Sequence, residues 1–275
     1  MISAADRPKN VLITGCSAGG AGSALAEEFN QRGLHVFATA RSLSKMSHLA
    51  KRPMITLLEL DVTSTSSIAA AVAAVSTTTG GKLDYLVNNS GQACVRPALD
   101  TELEYARGLF DVNFWGSVNT IHAFSPLIIA SGGTIVNVCS IAAVLSVPWG
   151  SFYNASKAAI KSYGEALRLE MAPLGVNVMT IMTGIIGTNI FANHPVNKLP
   201  EGSLWEAASE DIMKNASGEG LLDTSMPPGL FAERVVDDVL GGVNGLTWRG
   251  KMSSIAWFLS TFLPTWLLSG ADRIV

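Results

Sequence analysis

Tyr153 and Lys157 stand four residues apart in the run Tyr153-Asn154-Ala155-Ser156-Lys157, a spacing that puts both on one face of a helix. A free phenol titrates near about 10, so a tyrosine that trades protons near neutrality needs a fixed positive charge beside it. Lys157 is placed to supply that charge and to favour the ionised phenol. Ser140 closes the apolar run 134–139, which predicts a buried strand. A hydroxyl at the C-terminal end of such a strand faces the crevice in which open α/β sheets bind ligands. Taken alone, Tyr-x-x-x-Lys is also a common solvated helix pair, so the elements that hold it decide its meaning.

Residues 10–14 form a short β-branched run that stops at Gly15-Cys16-Ser17-Ala18-Gly19-Gly20-Ala21-Gly22, after which Leu25, Ala26 and Phe29 recur at helical spacing. Strand, glycine turn and helix in that order let a backbone approach a pyrophosphate whose charge rests on the helix N-terminus. Gly15, Ser17, Gly19, Gly20 and Gly22 are therefore candidate phosphate contacts; the alternative is a tight turn with no ligand. A second strand over 36–40 ends on Arg41, where an NAD-preferring site carries Asp or Glu. Arg41 invites a 2′-phosphate, unless it is simply a solvated surface arginine. A third strand over 55–60 closes on Asp61-Val62, positioned for an adenine, although Asp61 could equally cap the following helix.

Further along, the pattern predicts a helix over 64–79, a strand over 83–87 running into Asn88-Asn89-Ser90-Gly91, and one long helix over 103–129 containing Asn113. Asparagine is unfavourable in mid-helix and calls for a polar partner, either neighbouring backbone or something functional. A helix over 153–174 and a strand over 176–182 follow, then a helix over 231–243 and a last strand over 246–248. Strands alternating with helices predict a single α/β domain, a Rossmann-type doubly wound parallel sheet with helices on both faces.

With 275 residues, 48% hydrophobic and 15% charged, the chain can bury a large core and still offer an apolar binding surface. A net charge of -3 argues against nucleic acid as a partner. Cys16, Cys94 and Cys139 are widely spaced and form no metal or disulfide framework, so a reducing compartment and a cytoplasmic location are expected. The N-terminus does not read as a secretion signal. Over 189–229 prolines 195, 200, 227 and 228 bound a short piece in which Leu204, Ala208 and Ile212 share a face; this is either a lid over the site or a plain surface excursion. The apolar tail 252–275 carries Trp257, Phe258, Phe262 and Trp266 and is interrupted by Pro264. Its apolar stretch is too short to span a bilayer, which needs about 20 residues. It lies in a membrane interface, or it packs on its own domain or a second subunit.

Taken in order, Thr14-Gly15 with its glycine turn, Arg41, Asp61-Val62, Asn88-Asn89-Ser90-Gly91, Asn113, Ser140, Tyr153, Lys157 and the stretch 184–188 resemble the short-chain dehydrogenase/reductase family over about residues 9–250. Within it the chain looks most like the group of NADPH-dependent 1-acyldihydroxyacetone-phosphate reductases, through Ile13-Thr14-Gly15-Cys16-Ser17, Ala40-Arg41, Trp248-Arg249-Gly250 and Phe262-Leu263-Pro264. The resemblance implies NADPH-dependent reduction of a ketone on an apolar or lipid-like substrate, and a homo-oligomer. It implies Tyr153 as proton donor, Lys157 on the nicotinamide ribose, Ser140 on the carbonyl oxygen and Asn113 anchoring a water relay to Lys157. Asn89, Ser90 and Gly91 would flank the cofactor, and Ile186 with Thr188 would hold its carboxamide. Val144, Leu145, Val147 and Trp149 offer an apolar lining. Three departures stand out: the glycine turn is one residue longer than Gly-x-x-x-Gly-x-Gly if Gly20 and Gly22 are the counterparts, Ser90 replaces an alanine, and Thr183 replaces a proline. The same fold can also run an oxidation, an epimerisation or a redox-neutral step, or serve as a non-catalytic NADP-binding regulator.

Overall fold

Strands buried on both faces read as near-continuous runs of apolar and small residues, and here such runs recur seven times. In the computed structural model, which describes residues 8–192 and 198–264, they are β1 (Asn10–Ile13), β2 (His35–Ala40), β3 (Ile55–Glu59), β4 (Tyr85–Asn88), β5 (Thr134–Val138), β6 (Asn177–Thr183) and β7 (Gly245–Arg249). All pair in parallel, in the order β3-β2-β1-β4-β5-β6-β7. The order reverses between β1 and β4, and a ligand crevice opens at such a switch point beyond the strands' C-terminal ends.

Alternate residues of one strand enter two cores. Val11 and Ile13 of β1 join Leu25, Phe29 and Phe231 on one face. Leu12 joins Leu86, Phe124, Ile135 and Leu167 on the other. The first face is covered by α1 (Ala21–Gln31) and α7 (Pro228–Leu240), the second by α2 (Thr65–Thr79), α4 (Gly116–Ser131) and α5 (Ser151–Met171). The expected single-domain, doubly wound α/β architecture is the one observed.

Two element boundaries differ from the periodicity in ways that matter. The single helix expected over 103–129 is three pieces: α3 (Leu103–Phe110), a π-helical turn over Asp111–Trp115, and α4. The wider π turn accommodates one residue more than an α turn and is concentrated at functional sites. Periodicity does not reveal such a turn, because the buried positions Ala106, Leu109, Asn113, Ser117 and Thr120 keep helical spacing through it. The excursion over 189–229 contains α6 (Ser209–Ser217) after a 3-10 turn. Leu204 does not share a face with Ile212: it lies before the helix and is 76% exposed, whereas Ile212 is fully buried. Ser203 interrupts the pattern, accepting from the Trp205 N–H at 3.1 Å and donating to Asp100 Oδ2 at 2.6 Å. The last helix among the described residues, α8 (Ser253–Phe262), packs on β7 and on the turn after Ser140. Pro195 and Trp266, which figured in the excursion and the tail, lie outside the described residues.

Candidate active site

At the β1 end, Gly15 adopts a φ of +76°, and Gly20 is the N-cap residue of α1. A Cβ on Gly22 would stand 2.5 Å from the Gly15 carbonyl oxygen and also meet Asn89 Nδ2. Gly22 is thus the residue that lets helix and strand end close together, and Gly20 the one at the helix mouth. No side chain caps α1 and no acid sits in its first turn, so its N-terminal N–H groups and partial positive charge stay uncompensated. That is the state an anion-binding helix end requires. Ser17 O accepts from the Gly20 N–H at 3.1 Å, and Ala18 N–H donates to Lys45 O at 3.0 Å.

The turn after β4 is fastened to this glycine turn. Thr14 Oγ1 accepts from the N–H groups of Asn89 and Ser90, both at 2.9 Å. Asn89 Nδ2 donates to the carbonyls of Thr14 and Gly15 at 2.8 and 3.1 Å. Gly91 continues the segment, and a Cβ there would stand 3.4 Å from both Asn113 Oδ1 and Lys157 Nζ. Three residues distant in sequence therefore meet at one point.

Asn113 is buried at the π turn. Its Oδ1 accepts from Gln92 N–H at 2.8 Å, and its Nδ2 donates to Gln92 O at 3.0 Å and Ser156 Oγ at 3.1 Å. Ser156 Oγ in turn donates to Tyr153 O at 2.8 Å. The polar partner that Asn113 called for is thus the segment after β4 together with α5. Tyr153 and Lys157 do lie one turn apart on α5, with Lys157 Nζ 5.9 Å from the phenol ring centroid. Lys157 is only 5% exposed, and its ammonium donates to Val138 O at 3.2 Å at the end of β5. The solvated-pair alternative therefore fails: this lysine is a buried cation held between β5 and the Gly91 segment. Ser140 leaves β5 in extended backbone and caps the 3-10 turn Ile141–Ala143, its Oγ accepting from Ala142 N–H at 3.2 Å. The hydroxyl proton of Ser140 remains available to a ligand.

At the far side, Arg41 is exposed at the end of β2. Asp61 does not cap α2; Ser64 does, accepting from Ser67 N–H. One Asp61 oxygen closes a local turn on Thr63, at 2.9 Å to its N–H and 2.7 Å to its hydroxyl. Val62 is buried, and a Cβ on Gly116 would come 2.6 Å from its Cγ2, so Val62 packs on the start of α4. After β6, Ile186 is buried in the core and bridges to Met226, while Thr188 N–H donates to Ile186 O at 2.9 Å. Asn189 then reaches the glycine turn, its N–H donating to Gly19 O at 3.3 Å and its Nδ2 to Ala18 O at 3.4 Å.

Gln92, Ser156 and Asn189 escaped the reading of the sequence. Ser156 alone carried a local signal, a hydroxyl inside a helix beside the buried lysine; Gln92 contributes backbone atoms, and Asn189 acts across 171 residues.

A glycine turn at a helix mouth, set at the switch point of a parallel sheet and beside a tyrosine, a lysine and a serine, defines a dinucleotide-binding oxidoreductase fold. Residues 9–198 match the short chain dehydrogenase family, and the chain belongs to that family. It is 47% identical to the short-chain dehydrogenase ptmH of Penicillium ochrochloron over 94% of each chain. It is 38% identical to the NADPH-dependent 1-acyldihydroxyacetone phosphate reductase of Schizosaccharomyces pombe, covering 97% of this chain and 94% of that one. Among solved structures, a short chain dehydrogenase from Burkholderia cenocepacia in complex with NADP superposes with a TM-score of 0.75 at 26% identity, over 98% and 99% of the two chains.

Proposed function

We propose that this chain reduces the ketone of an apolar or lipid-like substrate with NADPH, Tyr153 giving the proton to the carbonyl oxygen. The observation that carries the reading is the meeting of Gly91, Asn113 and the buried Lys157 one helical turn from Tyr153. The uncapped α1 and the glycine turn fit a pyrophosphate, and the exposed Arg41 at the end of β2 fits a 2′-phosphate. The names of the fission yeast reductase and of the Burkholderia complex favour the phosphorylated cofactor as well.

When bound, the reduced nicotinamide supplies the hydride. Tyr153 donates its phenolic proton, and the Lys157 ammonium, 5.9 Å from the phenol ring centroid, holds the ribose. Ser140 hydrogen-bonds the carbonyl oxygen. Asn113 holds the π turn and the segment after β4 in register and anchors a water relay that returns a proton to Lys157. Gly15, Ser17, Gly19, Gly20 and Gly22 carry the phosphates, Asp61 and Val62 the adenine, Asn89, Ser90 and Gly91 one flank, and Ile186 with Thr188 the carboxamide. The excursion over 189–229 is the lid, engaging the glycine turn through Asn189 and the segment after β4 through Ser203.

The test is to follow NADPH absorbance against ketones of graded chain length. Consumption that rises with apolar chain length is expected. Product formed without NADPH consumption gives a redox-neutral reaction instead, and tight NADPH binding with no turnover of any ketone gives the regulator.

No described helix is long and apolar enough to cross a membrane. On α8, Trp257, Phe258 and Phe262 are 44%, 52% and 59% exposed, which favours peripheral contact of this face with lipid. Because Ser253 and Ala256 of α8 are buried, point substitution is a cleaner test than truncation: Trp257→Ser with Phe258→Ser is expected to lower vesicle co-sedimentation without loss of fold. Unchanged co-sedimentation, or a fall in oligomer size in its place, assigns the face to a second subunit.

A further inference from the structure

Arg96 belongs to none of the groups described so far, yet it sits where two walls of the crevice meet. The segments that leave the C-terminal ends of β4 and β5 are joined by its backbone N–H, which donates to Trp149 O at 2.6 Å. Trp149 makes that contact from a left-handed backbone, φ +58°, a conformation costly for a bulky residue and kept only where the surroundings impose it. Trp149 is four residues before Tyr153, so Arg96 is tied to the loop that delivers the phenol.

Its guanidinium is half-buried over the ring of Tyr105, with the guanidinium carbon 5.3 Å from the ring centroid. No carboxylate pairs with it among the described residues. Asp100, on the same segment, is taken by Ser203 at 2.6 Å. Burial raises both the Cys94 thiol and the Tyr105 phenol above their ordinary values, so its close neighbours stay neutral. A cation pinned by ring stacking, spared of a carboxylate among the described residues and joined through its backbone to the loop that ends at Trp149 is preorganised for an external anion.

We propose that Arg96 is the anchor for an anionic head group, phosphate or carboxylate, on the ketone this chain reduces. The inference rests on the reductase reading and adds a polarity to the substrate: an apolar chain along the Val144–Val147 loop and a charged end at Arg96. Arg96 is a specificity-determining residue and takes no part in the proton transfer.

The experiment compares wild type, Arg96→Gln and Arg96→Lys on a 1-acyl dihydroxyacetone phosphate and on the same ketone without its phosphate. A charge-assisted, two-pronged contact is worth about 10- to 100-fold in affinity. Arg96→Gln is therefore expected to raise KM for the phosphorylated ketone by that factor, leave kcat within about twofold, and leave the neutral ketone unaffected; Arg96→Lys should recover part of the loss. An equal change on both ketones, or none on the phosphorylated one, overturns the proposal. If wild type reduces neither ketone, the reductase reading falls and the anchor is tested by binding alone, with dodecyl phosphate against dodecanol in calorimetry. Preference for the phosphate that vanishes in Arg96→Gln supports the site; equal affinities overturn it.

Discussion

Asn113 Nδ2 donates to Ser156 Oγ across 3.1 Å, and that bond ties the π turn to the helix bearing Tyr153 and Lys157. With Gln92 accepting and donating on the other side of the same amide, both N–H groups of the Asn113 side chain and one lone pair of its oxygen are held by the protein. Removing Ser156 Oγ (Ser156→Ala) is expected to cost about 1 kcal/mol. Asn113→Ala, which also strands the half-buried Gln92 backbone groups, is expected to cost about 2 to 4 kcal/mol. Urea unfolding monitored by tryptophan fluorescence measures both, and the larger loss should fall on Asn113→Ala.

Tyr153→Phe keeps the ring and removes the proton. Turnover is expected to drop by about 10² to 10⁴ with NADPH affinity within a few-fold of wild type. Single-turnover kinetics with a fluorescence titration of NADPH separates the two, and retained turnover removes the role given to this phenol.

Arg41→Asp replaces the cation at the end of β2 by the carboxylate that favours ribose hydroxyls. NADPH KM is expected to rise by about 10- to 100-fold while NADH KM falls. Parallel kinetics with the two cofactors gives the answer, and an unchanged ratio leaves Arg41 a solvated surface residue.

Gly22→Ala puts a methyl against Gly15 O and Asn89 Nδ2. Since both belong to the stapled turn and not to a flexible side-chain end, the strain is expected at about 1 to 3 kcal/mol, accompanied by weaker NADPH binding. A thermal melt with and without NADPH should show a lower midpoint and a smaller cofactor-induced rise.

His35 at the start of β2 lies 2.9 Å from Thr56 Oγ1 and 4.5 Å, ring to ring, from Phe37. Burial lowers its pKa below the ordinary value of 6.5. The unfolded chain therefore takes up a proton before the folded one does as pH falls. Stability is expected to decline as pH drops below about 6.5 and to level off below the folded pKa. Denaturant midpoints across this range should flatten in His35→Gln, and an unchanged slope would assign the decline to other groups.

The parallel, doubly wound sheet and the places of Ser140, Tyr153 and Lys157 could be read from the chain because period, glycine turns and helix spacing are local properties, whereas the strand order rests on which distant strands pair. The i,i+4 relation of Tyr153 and Lys157 needs only one helix, and the strand, glycine turn and helix at Gly15 to Gly22 need only one βα unit. The π turn at Asn113 was hidden, because the buried positions keep helical spacing through it. The close approach at Gly22 was hidden too, since it is set by Gly15 O and Asn89, which stand against it only in the folded chain. Lys157 became a buried cation, and not a surface one, only when Val138 and Gly91 closed around it, and Arg96 acquired its place only through the carbonyl of Trp149, 53 residues away. Sequence by itself determined which chemistry the chain carries, because residue types and short spacings persist in any fold that keeps the helices and strands. Tertiary structure alone decided which of those groups share one crevice and which lose their water, because contact between distant segments depends on how the two cores pack.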